Sequence, residues 1–231
     1  MCDAQIKILG GTTVMNFRRM TQFHFRYVIF LLLPFGFQLL LVPLAGALNQ
    51  KKNILDEESI EIATIQAYIS EIRPSLSSES LQKLSQVILQ ESRRLNIESC
   101  NFRCSDTDKV SLLIGLIHLE SQFKATARSP KNARGFMQIM PTTANWLSQK
   151  EGWKINLNDL HKPEVNIHLG VSYLNYLLDL RKGDTAKALL SYNAGPGAVD
   201  RWGGIPEYNE IILSNQSHYL ELREKIANSI P

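Results

Sequence analysis

Apolar positions along this chain recur at helical intervals and never settle into the alternation of a strand. Ile54, Leu55, Ile60, Ile62, Ile65 and Ile69 fall at near-helical spacing among acidic neighbours, and Pro74 closes the run. Ser77-Ser78-Glu79-Ser80 has the chemistry of a helix start, and Leu81, Leu84, Val87, Ile88 and Leu95 share one face of the helix it opens. These two amphipathic helices are expected to pack onto the later part of the chain, with a partner-binding face as the alternative. The stretch from Val110 to Phe123 is different. Leu112, Leu113, Ile114, Leu116, Ile117 and Leu119 leave it almost no polar face, which predicts a buried helix ending in one carboxylate, Glu120.

Turn chemistry comes next. Ser129-Pro130 and Lys131-Asn132 suit a turn, Asn132 tolerates a left-handed backbone, and Gly135 allows close backbone approach. Pro141 suits the first position of a helix that continues through Trp146 and Leu147. A polar connection from Glu151 to His161 leads to Pro163, which opens a helix carrying Val165, Ile167, Leu169, Tyr173, Leu174, Leu177 and Leu178. Asp184 is positioned to cap the next helix, which breaks at Ala194-Gly195-Pro196-Gly197. A last helical piece is expected from about Ser217 to Ala227. The pattern predicts an all-α protein with room for one short hairpin.

The first 47 residues read differently. An apolar run from Tyr27 to Gln50 follows Arg18, Arg19 and Arg26, and Ala45-Gly46-Ala47 fits a small-x-small cleavage site. This has the form of an export signal, for which a start at Met15 or Met20 would give ordinary proportions. The run is also nearly long enough to span a bilayer, so an anchor through residues 27–48 is the alternative, although Pro34, Gln38 and Pro43 weaken it. Lipidation is excluded because Ala47 stands where the modified cysteine would be.

Composition narrows the function. The chain has 231 residues, 44% of them hydrophobic, enough for one domain with a substantial core and some additions. Lys7, Arg18, Arg19 and Arg26 against Asp3 account for the whole net charge of +3, so the remainder is neutral. That argues against nucleic acid as a partner, and no Gly-rich phosphate loop precedes a helix. Of the three cysteines, Cys100 and Cys104 lie in a polar stretch where a small disulfide in an oxidising compartment is favoured over two free thiols. A metal pair there lacks accompanying His or Cys ligands.

Glu120 carries the chemistry. A lone carboxylate beside an apolar helix is costly when ionised, so its pKa should rise toward the range useful to a proton donor at neutral pH. The plain alternative is a helix-end Glu facing solvent. The surrounding residues decide between them. Glu120-Ser121, Ala125, Ser129 and Gly135-Phe136-Met137-Gln138-Ile139-Met140-Pro141 resemble the catalytic segment of the soluble-lytic-transglycosylase family. Asn166-Ile167-x-x-Gly170-x-x-Tyr173-Leu174 and Ser191-Tyr192-Asn193-Ala194-Gly195-Pro196-Gly197 resemble its two downstream motifs, in the right order. The likeness covers about Val110 to Trp202.

The resemblance implies a goose-lysozyme-like helical domain acting on peptidoglycan glycan strands, with no cofactor and no metal. With the leader and the amphipathic helices read from the residues, the chain is expected to have three parts: an export signal or anchor over 1–47, a helical extension over 48–105 and a catalytic domain over 106–231. The resemblance implies Glu120 as the single acid and base. The Glu would protonate the leaving oxygen and then draw the proton from the substrate's own C6 hydroxyl, giving 1,6-anhydro-N-acetylmuramic acid. Ser129, Gln138, Met140, Tyr192 and Asn193 are implied to contact substrate, Met140 as an apolar wall and Tyr192 as a hydroxyl beside the acid. A second carboxylate of the usual glycosidase kind is not evident: Asp106 and Asp108 precede the helix, and Asp179 and Asp184 lie in polar surroundings. Ser121 fixes the helix end or touches substrate, and His118 points to another face.

Two departures bear on the site. Phe136 replaces the family's usual aliphatic residue, which is expected to reshape a sugar subsite. Matching Tyr219 to a tyrosine near the family's C-terminus puts Asn215 where a cleft Glu belongs, with Glu210 as a substitute only after an insertion. The competing readings are a lysozyme-type hydrolase using water, a non-cleaving peptidoglycan-binding module, and a membrane-anchored interaction protein.

Overall fold

The computed structural model describes residues 57–97 and 106–229, with the side chains of 106–108 left aside. The leader segment, Cys2, Cys100 and Cys104 lie outside the described residues. Among the described residues the chain is all α-helical, apart from one 3-10 turn and two isolated bridges, and these residues form one compact unit. No helix among them is long and apolar enough to cross a membrane.

Helix α1 covers 57–72 and α2 runs Ser78–Ser92. Ser77 caps α2 by accepting the Ser80 N–H, as its sequence predicts. Helix α3, Asp106–Ser121, is the central rod: Leu113, Ile114, Leu116 and Ile117 are all completely buried. Gln122 and Phe123 then both take left-handed backbone, with φ of 50° and 57°, which stops the helix just past Glu120. Phe123 is driven into the core, and its ring packs edge-on against Tyr68 of α1.

Helix α4, Pro141–Lys150, and α5, Pro163–Leu180, each begin on the proline that the sequence marks. The connection between them is not simply polar coil. It contains a 3-10 turn, Leu157–His161, closed by a capping box between Asn156 and Asp159. Helix α6, Thr185–Ala194, is capped by Asp184 and ends on Gly195 with φ 82°. Two helical stretches escape the sequence pattern. Residues Pro196–Trp202 form a short helix, α7, and the last helix, α8, spans Pro206–Ser229 rather than starting near Ser217.

Packing fixes α8 closely against α3. Gly115 lies so near that a Cβ there would sit 2.9 Å from the Ile212 carbonyl oxygen of α8. Polar links hold the first two helices down. The Tyr219 hydroxyl of α8 donates to Glu61 of α1 at 2.6 Å, and Arg223 Nε donates to the same carboxylate. Between α2 and α5, Asn175 Nδ2 donates to the Arg94 carbonyl at 2.7 Å and its Oδ1 accepts from the Asn96 N–H at 2.9 Å. His168 of α5 stands between Glu91 and Glu151, 2.7 Å from the latter.

Candidate active site

The loop after α3 is built before any substrate need be considered. Asn132 takes φ 70°, as its residue type suggests, and Ser129 Oγ accepts the Ala133 N–H at 3.0 Å. Arg134 and Ile139 exchange two backbone hydrogen bonds of 3.0 Å, and Arg134 also bridges to Arg128; these isolated bridges stand in for the expected hairpin. Gly135 has φ 75°, and a Cβ on it would lie 2.1 Å from the Leu160 carbonyl oxygen. Asn166, completely buried, spends its amide on this loop. Its Oδ1 accepts the Met137 N–H at 2.7 Å, and its Nδ2 donates to the Arg134 and Leu160 carbonyls at 2.8 and 2.9 Å. Every polar atom of the amide is thus satisfied by backbone. Gly170 completes the seat, since a Cβ there would meet the Met137 sulfur at 2.2 Å.

The loop, α3, α5 and α6 enclose a cavity of about 450 Å³. Glu120 lines it, and so do Ser129, Gln138, Met140, Tyr192 and Asn193, the residues singled out in the sequence. Lys131, Thr143 and Tyr173 join them; Tyr173 would count as plain core on periodicity alone. Among the described lining residues Glu120 is the sole carboxylate. Asp184 is occupied as a cap and Asp179 is exposed.

Burial drives the Glu120 pKa from 4.5 up to about 7. One hydrogen bond opposes that rise: Tyr208, from the start of α8, donates its hydroxyl to Glu120 Oε1. Burial and the neighbouring Glu120 hold the Tyr208 phenol well above its usual range, so it stays a donor throughout the neutral region. With Oε1 engaged, Oε2 is the oxygen left to exchange a proton with a ligand. The result is a partly buried acid, poised near neutrality and anchored by one donor.

The sequence around this site has counterparts among known proteins. A family model described as "Transglycosylase SLT domain" matches residues 103–214. The soluble lytic murein transglycosylase of Escherichia coli K12 is 35% identical over 97 residues, covering 41% of this chain and 15% of that protein. The membrane-bound lytic murein transglycosylase C of Haemophilus influenzae PittEE is 40% identical over 101 residues, covering 39% of this chain and 28% of that protein. The chain therefore spans well under a third of the length of these relatives. Among solved structures, an inactive mutant of the lytic transglycosylase Slt from Pseudomonas aeruginosa aligns with TM-score 0.49 and 25% identity, over 61% of this chain and 24% of that one.

Within the matched region several expectations change. Tyr192 lies at the cavity, but its hydroxyl donates to the Met137 carbonyl at 2.8 Å, bracing the loop. The hydroxyl on the acid belongs to Tyr208, which lies outside the last helix that the apolar pattern predicts. Pro206 is the available signal, a fourth proline at a helix start. Tyr219 faces Glu61 rather than the cavity. Neither proposed substitute for a cleft Glu lines the cavity: Glu210 is exposed, and Asn215 Nδ2 donates to the Gly115 carbonyl at 3.3 Å. Phe136 is 5% exposed, belongs to the core and is not among the residues that line the cavity. Ser121 Oγ bonds back to the Ile117 carbonyl at 3.2 Å, and His118 Nδ1 lies 2.9 Å from the Tyr68 hydroxyl, on another face.

Proposed function

We propose that this protein is a peptidoglycan lytic transglycosylase, exported to the periplasm or cell envelope, that uses Glu120 as its single acid and base. The observation that carries the reading is one carboxyl, held near pKa 7 by burial and one tyrosine, in a cavity with no second carboxylate among its described lining residues. The SLT match over 103–214 and relatives named lytic murein transglycosylases support the substrate class.

In the proposed reaction Glu120 gives its proton to the glycosidic oxygen as the bond from C1 of N-acetylmuramic acid to that oxygen breaks. The Tyr208 hydrogen bond favours the carboxylate so formed. That carboxylate takes the proton of the C6 hydroxyl while its oxygen bonds to C1. The products are a 1,6-anhydro end and a free hydroxyl on the departing sugar, Glu120 is reprotonated, and no water is consumed. Ser129, Gln138 and Asn193 supply polar contacts and Met140, 37% exposed, an apolar wall. No cofactor or metal enters the scheme.

Mass spectrometry of purified sacculi digested by residues 48–231 tests it. Anhydro-muropeptides, one water lighter than hydrolysis products, are the expected outcome. Reducing-end products reassign the protein as a lysozyme-type hydrolase, and an undigested wall leaves a non-cleaving binding module.

A further inference from the structure

Past the residues that line the cavity, aromatic rings continue between α4 and α5. Tyr192 and Tyr173 both line it, with ring centroids 5.3 Å apart. One turn further along α5, Tyr176 lies stacked with Tyr173, at 6.3 Å and 17° between planes. Thr143 lines the cavity from α4, and Trp146, its neighbour one turn on, meets Tyr176 edge-on at 4.9 Å. On each helix the step from the cavity residue to the outer aromatic is three residues, about 4.5 Å of rise, comparable to a single pyranose ring. Four aromatic rings in unbroken contact lead from the acid's cavity to the surface.

The outer end of this row is open. Trp146 is 41% exposed and Met140 37% exposed, on a helix whose Ala144 and Leu147 are fully or almost fully buried. Beyond Tyr176, the Trp146 ring is attended by the flexible Lys150 ammonium, 5.9 Å from its centre. An exposed indole joined through ring contacts to a residue of a polar cavity suits a ligand with alternating hydroxyls and C–H faces. The C–H face of a sugar lies on the ring, while its hydroxyls and acetamido groups stay wet.

We propose that Tyr173, Tyr176 and Trp146 form a rail that binds sugar rings of an N-acetylated glycan beyond those held beside Glu120, so that the site favours long strands over short fragments. The inference rests on the glycan-cleaving reading above and adds where the strand leaves the cavity. Trp146 is its outermost element and the one whose removal disturbs the fold least.

The test uses the full chain and N-acetylglucosamine oligomers of increasing length. Binding is measured by calorimetry with Glu120→Gln, and cleavage with the active protein on purified glycan strands of defined length. With Trp146 intact, affinity climbs with each added sugar until the rail is filled. Trp146→Ala is expected to flatten that climb and to reduce the long-to-short ratio of kcat/KM about ten-fold, whereas Trp146→Phe restores most of it. Trp202→Ala, removing an exposed indole outside this row of ring contacts, is the control and keeps the length dependence. An unchanged climb in Trp146→Ala, with an unchanged melting temperature, overturns the rail while leaving the enzyme reading intact. Length-dependent binding that needs Trp146, in a protein that cleaves no strand, supports the rail and overturns the enzyme reading instead. No binding at any length overturns the rail.

Discussion

Helix α8 carries two tyrosines that do the same thing to different carboxylates. Tyr208 and Tyr219 lie three turns apart on one face, and each donates its hydroxyl to a glutamate on another helix, Glu120 of α3 and Glu61 of α1. What differs is the third member. Glu61 has Arg223 beside it, whose second nitrogen also reaches Glu57 at 2.5 Å. Glu120 has no cation paired with it among the described residues, and burial lifts it to about pKa 7. A tyrosine–glutamate contact with an arginine fastens two helices; the same contact without one leaves a carboxyl that exchanges its proton near neutrality.

The comparison can be broken at either end. Glu120→Gln carries the largest expected effect, a fall of at least about a thousand-fold in glycan cleavage, with the fold kept. It should also change stability with a definite sign. A carboxyl whose pKa is raised on folding contributes its stability below the unfolded value of 4.5, and that contribution is lost as pH rises through about 7. The native protein should therefore lose on the order of 3 kcal/mol from this group between about pH 4.5 and 8, and Glu120→Gln should not. Melting curves at both ends of that range read the difference.

Tyr208→Phe is expected to lower kcat about 10- to 100-fold, because the acid loses its anchor. It should also move the alkaline limb of the pH–rate profile upward, since the lost hydrogen bond had favoured the ionised form. A profile that only scales down, without shifting, would assign Tyr208 a packing role instead.

Arg223→Met makes the second pair resemble the first. It should leave activity near native and cost about 3 kcal/mol in urea unfolding, because the buried Glu61 loses the Arg223 guanidinium. Tyr219→Phe is the mildest change, about 1 kcal/mol of stability with no shift in the pH–rate profile. A shift there would show that the two pairs communicate along α8.

Much of this arrangement is legible in the chain because it depends on local chemistry. Ser77 and Asp184 as caps, Pro141 and Pro163 as helix starts, Asn132 as a left-handed turn residue and the buried α3 all follow from residue type and spacing. The six cavity residues come from motif likeness rather than from periodicity. Tyr208 escapes for a physical reason. Gly203 and Gly204 just ahead of it read as a break, and the polar Glu207-Tyr208-Asn209-Glu210 run hides a helix whose burial is sparse. Only tertiary packing makes Tyr208 7% exposed and brings it to Glu120. Phe136 fails in the opposite direction: its place in the motif suggests the site, but its bulk goes into the core.

Gly115 sets one further property. It lies five residues before Glu120, and its α8 contact, Ile212, lies four residues after Tyr208. The spacing between acid and tyrosine is thus gauged where two bare stretches of backbone touch, not by the chain that joins them. Everything from residue 124 to 205 closes a circuit whose ends are already registered by that contact. Surface loops within this circuit can gain or lose residues, and so re-cut the groove for a different strand, without detuning the proton chemistry.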